Sequence, residues 1–251
     1  MALLNGIDVE QRGSGRALVI LHSLLADRSA FDRVAPALSR RHRLWLVNLP
    51  GYGGSSAGGA SVEDYADRIA AILEDGSDVL GNGFGGFIAV ALAARHGKRI
   101  RRLIAAPALV AFPEPAKPPL RALAERVAKE GMSGALDVAI RRMFPQQFID
   151  ANPSVVEERK AALAKADAAC FQAACMALVQ LDLAPVLKNI QNKTLVMAGS
   201  EDATTPPALA RQLAEGMPNA RFEQLPGCGH CPQIENPALF VEKVEAFLSR
   251  A

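Results

Sequence analysis

Val79-Leu80-Gly81-Asn82-Gly83-Phe84-Gly85-Gly86 is the stretch that decides the fold, because an apolar strand runs into a glycine-rich turn that opens a helix. This is the strand–turn–helix context of the G-x-S-x-G motif, in which a sharp turn exposes a nucleophilic serine above a sheet. The outer glycines are present as Gly81 and Gly85, and their missing side chains permit the tight turn. The central residue is Gly83. The motif therefore predicts the turn, although the nucleophile is missing from it.

A glycine-rich turn before a helix can also bind a phosphate, because helix N-termini attract anions. The residues around Gly83 do not match G-x-x-x-x-G-K-[ST]. A G-x-G-x-x-G reading also fails, since the turn follows the third predicted strand and lacks a downstream acidic ribose ligand. A nucleotide site remains the weaker alternative at this turn.

A second motif, Leu225-Pro226-Gly227-Cys228-Gly229-His230-Cys231-Pro232, lies near the C-terminus. A histidine on a glycine-flanked loop, after a strand and before the final helix, can project its imidazole over the C-terminal edge of the sheet. Cys228 and Cys231 flank it as C-x-x-C, which leaves a metal or redox site open, although a tetrahedral zinc site needs about four ligands. The chain has 4 cysteines, few for a disulfide scaffold, and we expect reduced, packed thiols and no metal.

The third motif is Ala198-Gly199-Ser200-Glu201-Asp202-Ala203-Thr204-Thr205, an acidic pair after a predicted strand. An aspartate before a helix is commonly an N-cap, which is the structural alternative. However, Gly83, Asp202 and His230 follow the chain order Ser, acid, His that α/β-hydrolases use. Asp202 would then hold the His230 imidazole in one tautomer. Glu201 is the fallback for this role.

A fourth segment, Leu21-His22-Ser23-Leu24-Leu25, ends an apolar predicted strand. In this fold, the backbone N–H of Leu24 would join that of Phe84 as an oxyanion hole. Ser23 is a candidate substrate-binding residue. We do not expect Ser23 or Ser55 to replace the missing nucleophile, because neither occupies the strained turn.

Alternation of short strands with helices predicts a mainly parallel sheet with helices on both faces. The pattern breaks at Pro107, and the segment 112–119 is too proline-rich for a strand or the interior of a helix. Residues 120–187 show helical periodicity without a convincing strand, and four helices are expected at about residues 120–129, 134–142, 154–166 and 168–181. We therefore predict a core of residues 1–112 and 188–251 and a helical cap of residues 113–187. Two core helices are expected at about residues 29–39 and 61–74, and Ser61 and Asp64 predict a capping box at the start of the second.

Composition favours a small-molecule ligand, because a net charge of +2 gives no broad attraction to nucleic acid or to an anionic membrane. The first residues lack the pattern of a signal peptide, and no run of 18 apolar residues follows. We expect a soluble, cytoplasmic protein and leave its oligomeric state open.

Together these segments resemble the α/β-hydrolase superfamily along essentially the whole chain. HSLLADRSAFD and GSEDATTPP look like the 3-oxoadipate enol-lactonase group, and GNGFGG resembles the GNSFGG or GNSMGG turn of meta-cleavage product hydrolases. The resemblance implies hydrolysis of an ester, a lactone or a carbon–carbon ring-cleavage product by serine, histidine and aspartate, without a cofactor. Arg141 and Arg142 could then bind a substrate carboxylate, although a solvated helix face is their alternative role.

Three explanations for Gly83 remain open. It could be an engineered replacement of the serine, which would leave the other machinery intact and impair activity. It could be natural, in an enzyme whose His230 activates water directly or in a lyase-like general-base enzyme. It could also mark a non-catalytic protein that binds small molecules.

Overall fold

Eight strands form one sheet in the computed structural model, which describes residues 2–249. In chain order the strands are β1 Ala2–Leu4, β2 Ile7–Arg12, β3 Ala17–Leu21, β4 Arg43–Val47, β5 Ser77–Gly81, β6 Ile100–Ala105, β7 Lys193–Gly199 and β8 Ala220–Leu225. Their order in the sheet is β1-β2-β4-β3-β5-β6-β7-β8, with antiparallel pairing for β1–β2 and β2–β4 and parallel pairing for the others. The predicted mainly parallel sheet is confirmed.

The central strands are apolar because helices cover both faces of a parallel sheet. All residues of β3 and β5 are buried. From β3 the chain moves to β4 on one side and then to β5 on the other. Such a reversal opens a crevice at the carboxyl ends of the two strands, which is where ligands bind in open α/β sheets. The loops after β3 and β5 therefore meet at the edge where a site is expected.

Eleven α-helices lie within the described residues, and short 3-10 turns link several of them. The helices are α1 Ala35–Leu38, α2 Val62–Ala70, α3 Phe84–His96, α4 Lys117–Glu130, α5 Leu136–Met143, α6 Gln146–Ala151, α7 Pro153–Leu163, α8 Ala168–Gln180, α9 Pro207–Glu215, α10 Pro232–Glu235 and α11 Pro237–Leu248. The predicted capping box begins α2, where Ser61 Oγ accepts from Asp64 N and Asp64 accepts from Ser61 N.

Two predicted helices are wrong in extent. The helix expected over residues 29–39 is a 3-10 turn, Arg28–Phe31, followed by α1, because Pro36 has no N–H to continue the first turn and instead stands at the start of α1. The helix expected to reach residue 74 ends at Ala70, where the Arg99 guanidinium donates to the Ala70 carbonyl oxygen. A side chain from elsewhere in the chain thus satisfies the helix end, which local periodicity does not reveal.

The segment between β6 and β7 contains α4 to α8 and, within the described chain, one isolated antiparallel bridge between Ala111 and Asp182. The sequence predicted four helices here and missed α6, which is only 6 residues long. No single helix among residues 2–249 has the length and apolar character to cross a membrane, although α7 and α8, bent by 100°, meet that test as a pair.

Candidate active site

The turn after β5 has the backbone of a nucleophile elbow without its side chain. Gly83 stands between β5 and α3 with φ 53° and ψ −116°, a conformation that strains residues other than glycine. A Cβ on Gly81 would lie 2.0 Å from the Gly85 carbonyl oxygen, so the flanking glycines are needed for the close approach of helix and strand. Gly85 N donates to His22 O at 2.9 Å and ties the turn to the end of β3.

Asp202 and His230 form a buried acid–base pair beside this turn. His230 Nδ1 lies 3.0 Å from Asp202 Oδ2, and the two residues are 4% and 3% exposed. The other carboxylate oxygen, Oδ1, accepts the N–H groups of Thr204 and Thr205, each at 2.8 Å, and the Thr205 hydroxyl donates to Oδ2. The carboxylate thus fills the turn-capping role that was its structural alternative while it also orients the imidazole.

The pKa of Asp202 reflects two opposing effects. Burial alone would raise this pKa, but the charge and hydrogen bond of His230 and the donors of Thr205 hold it below the ordinary value. Asp202 therefore stays ionised near neutral pH. A carboxylate that accepts from His230 Nδ1–H leaves Nε2 as the unprotonated, basic nitrogen of the neutral ring.

The loop that carries His230 is held by Glu235, a residue to which the sequence analysis gave no role. Its two carboxylate oxygens accept the N–H groups of Gly229 at 2.7 Å and Cys231 at 2.9 Å, the residues on either side of His230. Burial raises the pKa of Glu235 to about 7 in spite of these two donors. The loop is also tied to α5, because His230 N donates to Met143 O at 3.1 Å.

For any reaction that uses the His230 imidazole, Glu235→Gln is expected to lower kcat by about 10-fold with little change in KM, because an amide accepts only one of the two N–H groups and loses roughly 1–2 kcal/mol of positioning energy. The ratio of native to variant kcat should shrink below about pH 7, because there the native carboxyl is protonated and, like the glutamine amide, uncharged. Glu201→Gln is the matched control, since Glu201 is exposed and bonds Gln147. A ratio of native to variant kcat that does not change with pH would show that the Glu235 carboxylate does not position the His230 loop.

Two backbone N–H groups next to Gly83 are available to an oxyanion. Leu24 and Phe84 both line the cavity that Gly83 and His230 also border. Within residues 2–249, neither N–H donates to a protein acceptor. Unbonded N–H groups beside a base are the arrangement that stabilises the charge of a tetrahedral intermediate.

The cavity lies between the sheet edge and the helices that follow β6. Its apolar walls include Phe87 from α3, Leu120 and Leu123 from α4, and Leu178 from α8. The polar side chains on its wall are Ser23, Arg142, Thr204, Thr205 and His230. A small, mostly apolar ligand with one or two polar groups fits such a lining.

The structure separates the two candidate arginines. Arg142 is half-buried and lines the cavity, whereas Arg141, one residue earlier on α5, is exposed and does not reach it. Thr204 Oγ1 donates to Arg142 O at 2.8 Å and fixes the backbone at this point. Within the described chain, no acidic side chain forms an ion pair with Arg142, and burial lowers its pKa from the ordinary value.

Other residues singled out from the sequence lie in structural positions. Ser55 Oγ donates to Asn48 O at 2.6 Å and accepts from Asp8 N at 2.8 Å. Exposed Glu201 does not bond His230. The four cysteines are free thiols, and burial raises the pKa of Cys228 to about 11. Among residues 2–249, no group of three or more His, Cys, Asp or Glu side chains is arranged to hold a metal ion.

A mostly parallel sheet with a glycine elbow, an Asp–His pair and free N–H groups at its carboxyl edge defines the α/β-hydrolase class. The profile of the alpha/beta hydrolase family matches residues 18–243, and the chain belongs to this family. The predicted fold class is therefore confirmed, and the named relatives are hydrolases.

Three comparisons illustrate the range of these relatives. The chain is 29% identical to a pimeloyl-(acyl-carrier protein) methyl ester esterase of Aeromonas hydrophila, over 96% of this chain and 99% of the other. It is 26% identical to a 2-hydroxymuconate semialdehyde hydrolase of a Pseudomonas species, over 97% and 90% of the two chains. The crystal structure of the enol-lactonase of Burkholderia xenovorans superposes with a TM-score of 0.91 at 26% identity, covering 99% of each chain. The predicted resemblance to the enol-lactonase and meta-cleavage hydrolase groups is confirmed.

Proposed function

We propose that the protein hydrolyses a small ester or lactone with a water molecule that His230 activates. The observation that carries the proposal is the position of Gly83: an Asp202-oriented imidazole and unbonded N–H groups border the cavity at an elbow that carries no side chain. The base and the oxyanion donors are thus present, although the nucleophilic side chain is absent. Relatives named as a methyl ester esterase and an enol-lactonase support this substrate class.

The reaction follows from the placement of these groups. The substrate carbonyl oxygen accepts from Leu24 N and Phe84 N, while His230 Nε2 takes a proton from water as the water oxygen bonds to the carbonyl carbon. The tetrahedral intermediate then collapses, and its bond to the leaving oxygen breaks. The His230 imidazolium returns its proton to that oxygen, which releases an acid and an alcohol. Asp202 stays ionised and stabilises the imidazolium between the two proton transfers.

We also propose that residues 113–187 act as the cap that closes this site. Leu120, Leu123 and Leu178 from this segment face Gly83 and His230 across the cavity. Burial of the carbonyl between these side chains and the sheet excludes bulk water and strengthens the two N–H hydrogen bonds. The backbone bonds of Arg142 and Met143 to the acid and histidine loops join the cap to the catalytic residues.

Arg142 indicates a substrate with a carboxylate. A guanidinium on the wall of a mostly apolar cavity, without an acidic partner among the described residues, is costly unless a ligand supplies the negative charge. Arginine binds carboxylates through two parallel hydrogen bonds. The proposed substrates are therefore monoesters of dicarboxylic acids, or lactones that carry a carboxylate.

Arg142→Gln should raise KM for a monomethyl ester of a dicarboxylic acid by roughly 10–100-fold, the effect of losing a charged hydrogen-bonded pair. For the methyl ester of the monocarboxylic acid of equal chain length, KM should change little. Steady-state rates for monomethyl adipate and methyl hexanoate provide this comparison, and exposed Arg141→Gln is the matched control. Equal effects on both substrates would refute the carboxylate assignment, and no hydrolysis of any ester or lactone would refute the function.

A further inference from the structure

Ser23 presents a buried hydroxyl to the cavity from a fixed backbone. The residue is 2% exposed, and its carbonyl oxygen accepts from Ala26 N at 3.1 Å. The same oxygen lies 2.8 Å from His22 Nδ1, and His22 Nε2 accepts from Leu49 N, so the ring proton is on Nδ1 and donates to Ser23. Burial lowers the pKa of His22 to about 4, which keeps this neutral tautomer at ordinary pH.

The Ser23 hydroxyl and the catalytic imidazole converge on one point. A Cβ built on Gly83 would lie 2.5 Å from Ser23 Oγ and 2.8 Å from His230 Nε2. Because both atoms lie this close to one point, they are near enough to each other for a single water oxygen to bridge them, from a position farther from the Gly83 Cα than a Cβ would be. Within residues 2–249, no hydrogen bond joins Ser23 to His230 directly and no other protein group bonds the Ser23 hydroxyl. The two side chains are thus arranged to share a third group.

We propose that Ser23 and His230 together bind the attacking water, in the space that Gly83 leaves by having no side chain. This inference rests on the proposed hydrolytic function and adds a residue and a position to it. The water donates one proton to His230 Nε2 and the other to Ser23 Oγ, which directs an oxygen lone pair towards the substrate carbon. During attack the first proton passes to His230, and the Ser23 hydroxyl keeps its own proton.

Glycine at position 83 is then a requirement of the chemistry. Any side chain there would place its Cβ 2.5 Å from the hydroxyl and 2.8 Å from the imidazole nitrogen, and so crowd the water that bridges them. Ser55 cannot take the role of Ser23, because the Ser55 hydroxyl already bonds Asn48 O and Asp8 N. Ser23 takes the role of a water-binding residue, and no bond forms between it and the substrate.

Ser23→Ala tests the proposal by steady-state kinetics on the best ester substrate. We expect kcat to fall by roughly 10–100-fold, the effect of one hydrogen bond to a reacting group, with KM within about 2-fold of the native value. Gly83→Ala should lower kcat at least as much, because its methyl group crowds the water out of the site. The double variant should be no slower than Gly83→Ala alone, because both changes remove the same water. Ser154→Ala, on the exposed face of α7, is the control.

The outcomes separate this inference from the function on which it rests. Native rates in Ser23→Ala, with activity lost in His230→Ala, would overturn the water site and leave the hydrolase intact. Native rates in both variants would overturn the proposed function. Additive losses in the double variant, or an acyl group found on Ser23 by mass spectrometry, would also overturn the water site.

Discussion

Asp202→Asn is expected to lower kcat by about 10³–10⁴-fold, the scale of an acid-to-amide change in a catalytic triad. The reason lies in the donors around the carboxylate. Because Oδ1 accepts the N–H groups of Thr204 and Thr205, an asparagine would keep its oxygen there and turn its NH₂ group towards His230. An NH₂ donor facing Nδ1 forces the ring proton onto Nε2. The imidazole would then be unable to accept a proton from water.

Kinetics of purified Asp202→Asn and Glu201→Gln on the same ester would check this expectation. Glu201 is adjacent in sequence but exposed, so its variant should retain the native rate. Circular dichroism would verify that the asparagine variant is folded, since the amide oxygen still accepts the N–H groups of Thr204 and Thr205. Equal losses in the two variants would remove Asp202 from its assigned role.

Gly83→Ser combined with Ser23→Gly is expected to convert the site to covalent catalysis. A serine alone would crowd Ser23 Oγ and His230 Nε2, and removing the Ser23 side chain relieves the first of these contacts. The new hydroxyl would lie next to a base and two oxyanion donors that are already in place. We predict labelling of residue 83 by a fluorophosphonate and a gain in p-nitrophenyl ester hydrolysis of at least about 10²-fold over the native protein. The left-handed backbone should reduce stability by roughly 1–3 kcal/mol.

The single variant Gly83→Ser should be labelled more slowly than the double variant, because His230 and Ser23 must both move to admit it. Adding His230→Ala to the double variant is the control and should abolish the labelling. If the double variant folds but reacts neither with the phosphonate nor with esters, then His230, Leu24 and Phe84 are not arranged to support acyl transfer to residue 83.

The elbow and the two loops could be predicted from the sequence because each depends on local backbone geometry. Glycines at a strand–turn–helix junction indicate the turn at Gly83 without reference to tertiary contacts. The chain order of Gly83, Asp202 and His230 then indicates which acidic residue and which histidine belong to the site. The hairpin of β1 and β2 was missed because β1 is 3 residues long and largely exposed at the sheet edge, so it lacks a hydrophobic pattern.

Features that depend on distant contacts could not be predicted in the same way. Ser23 was set aside as a replacement nucleophile, and its approach to Gly83 follows from the pairing of β3 with β5, which no single motif encodes. The choice between Arg141 and Arg142 depends on the rotation of α5 against the core. Glu235 lies three residues after the quoted C-terminal motif, but its bonds to Gly229 and Cys231 require the loop to fold back on α10.

The central claim is that water, and no residue of the chain, attacks the substrate carbonyl. Rapid-mixing measurement of p-nitrophenol release by the native protein, with intact-mass analysis of samples quenched during turnover, tests it most directly. A residue that becomes acylated would give a burst of nitrophenol and a mass increase equal to the acyl group. We expect linear release from the first turnover and an unmodified protein mass. A stoichiometric burst with an acyl adduct at Ser23, Ser55, Cys228 or any other residue would contradict it.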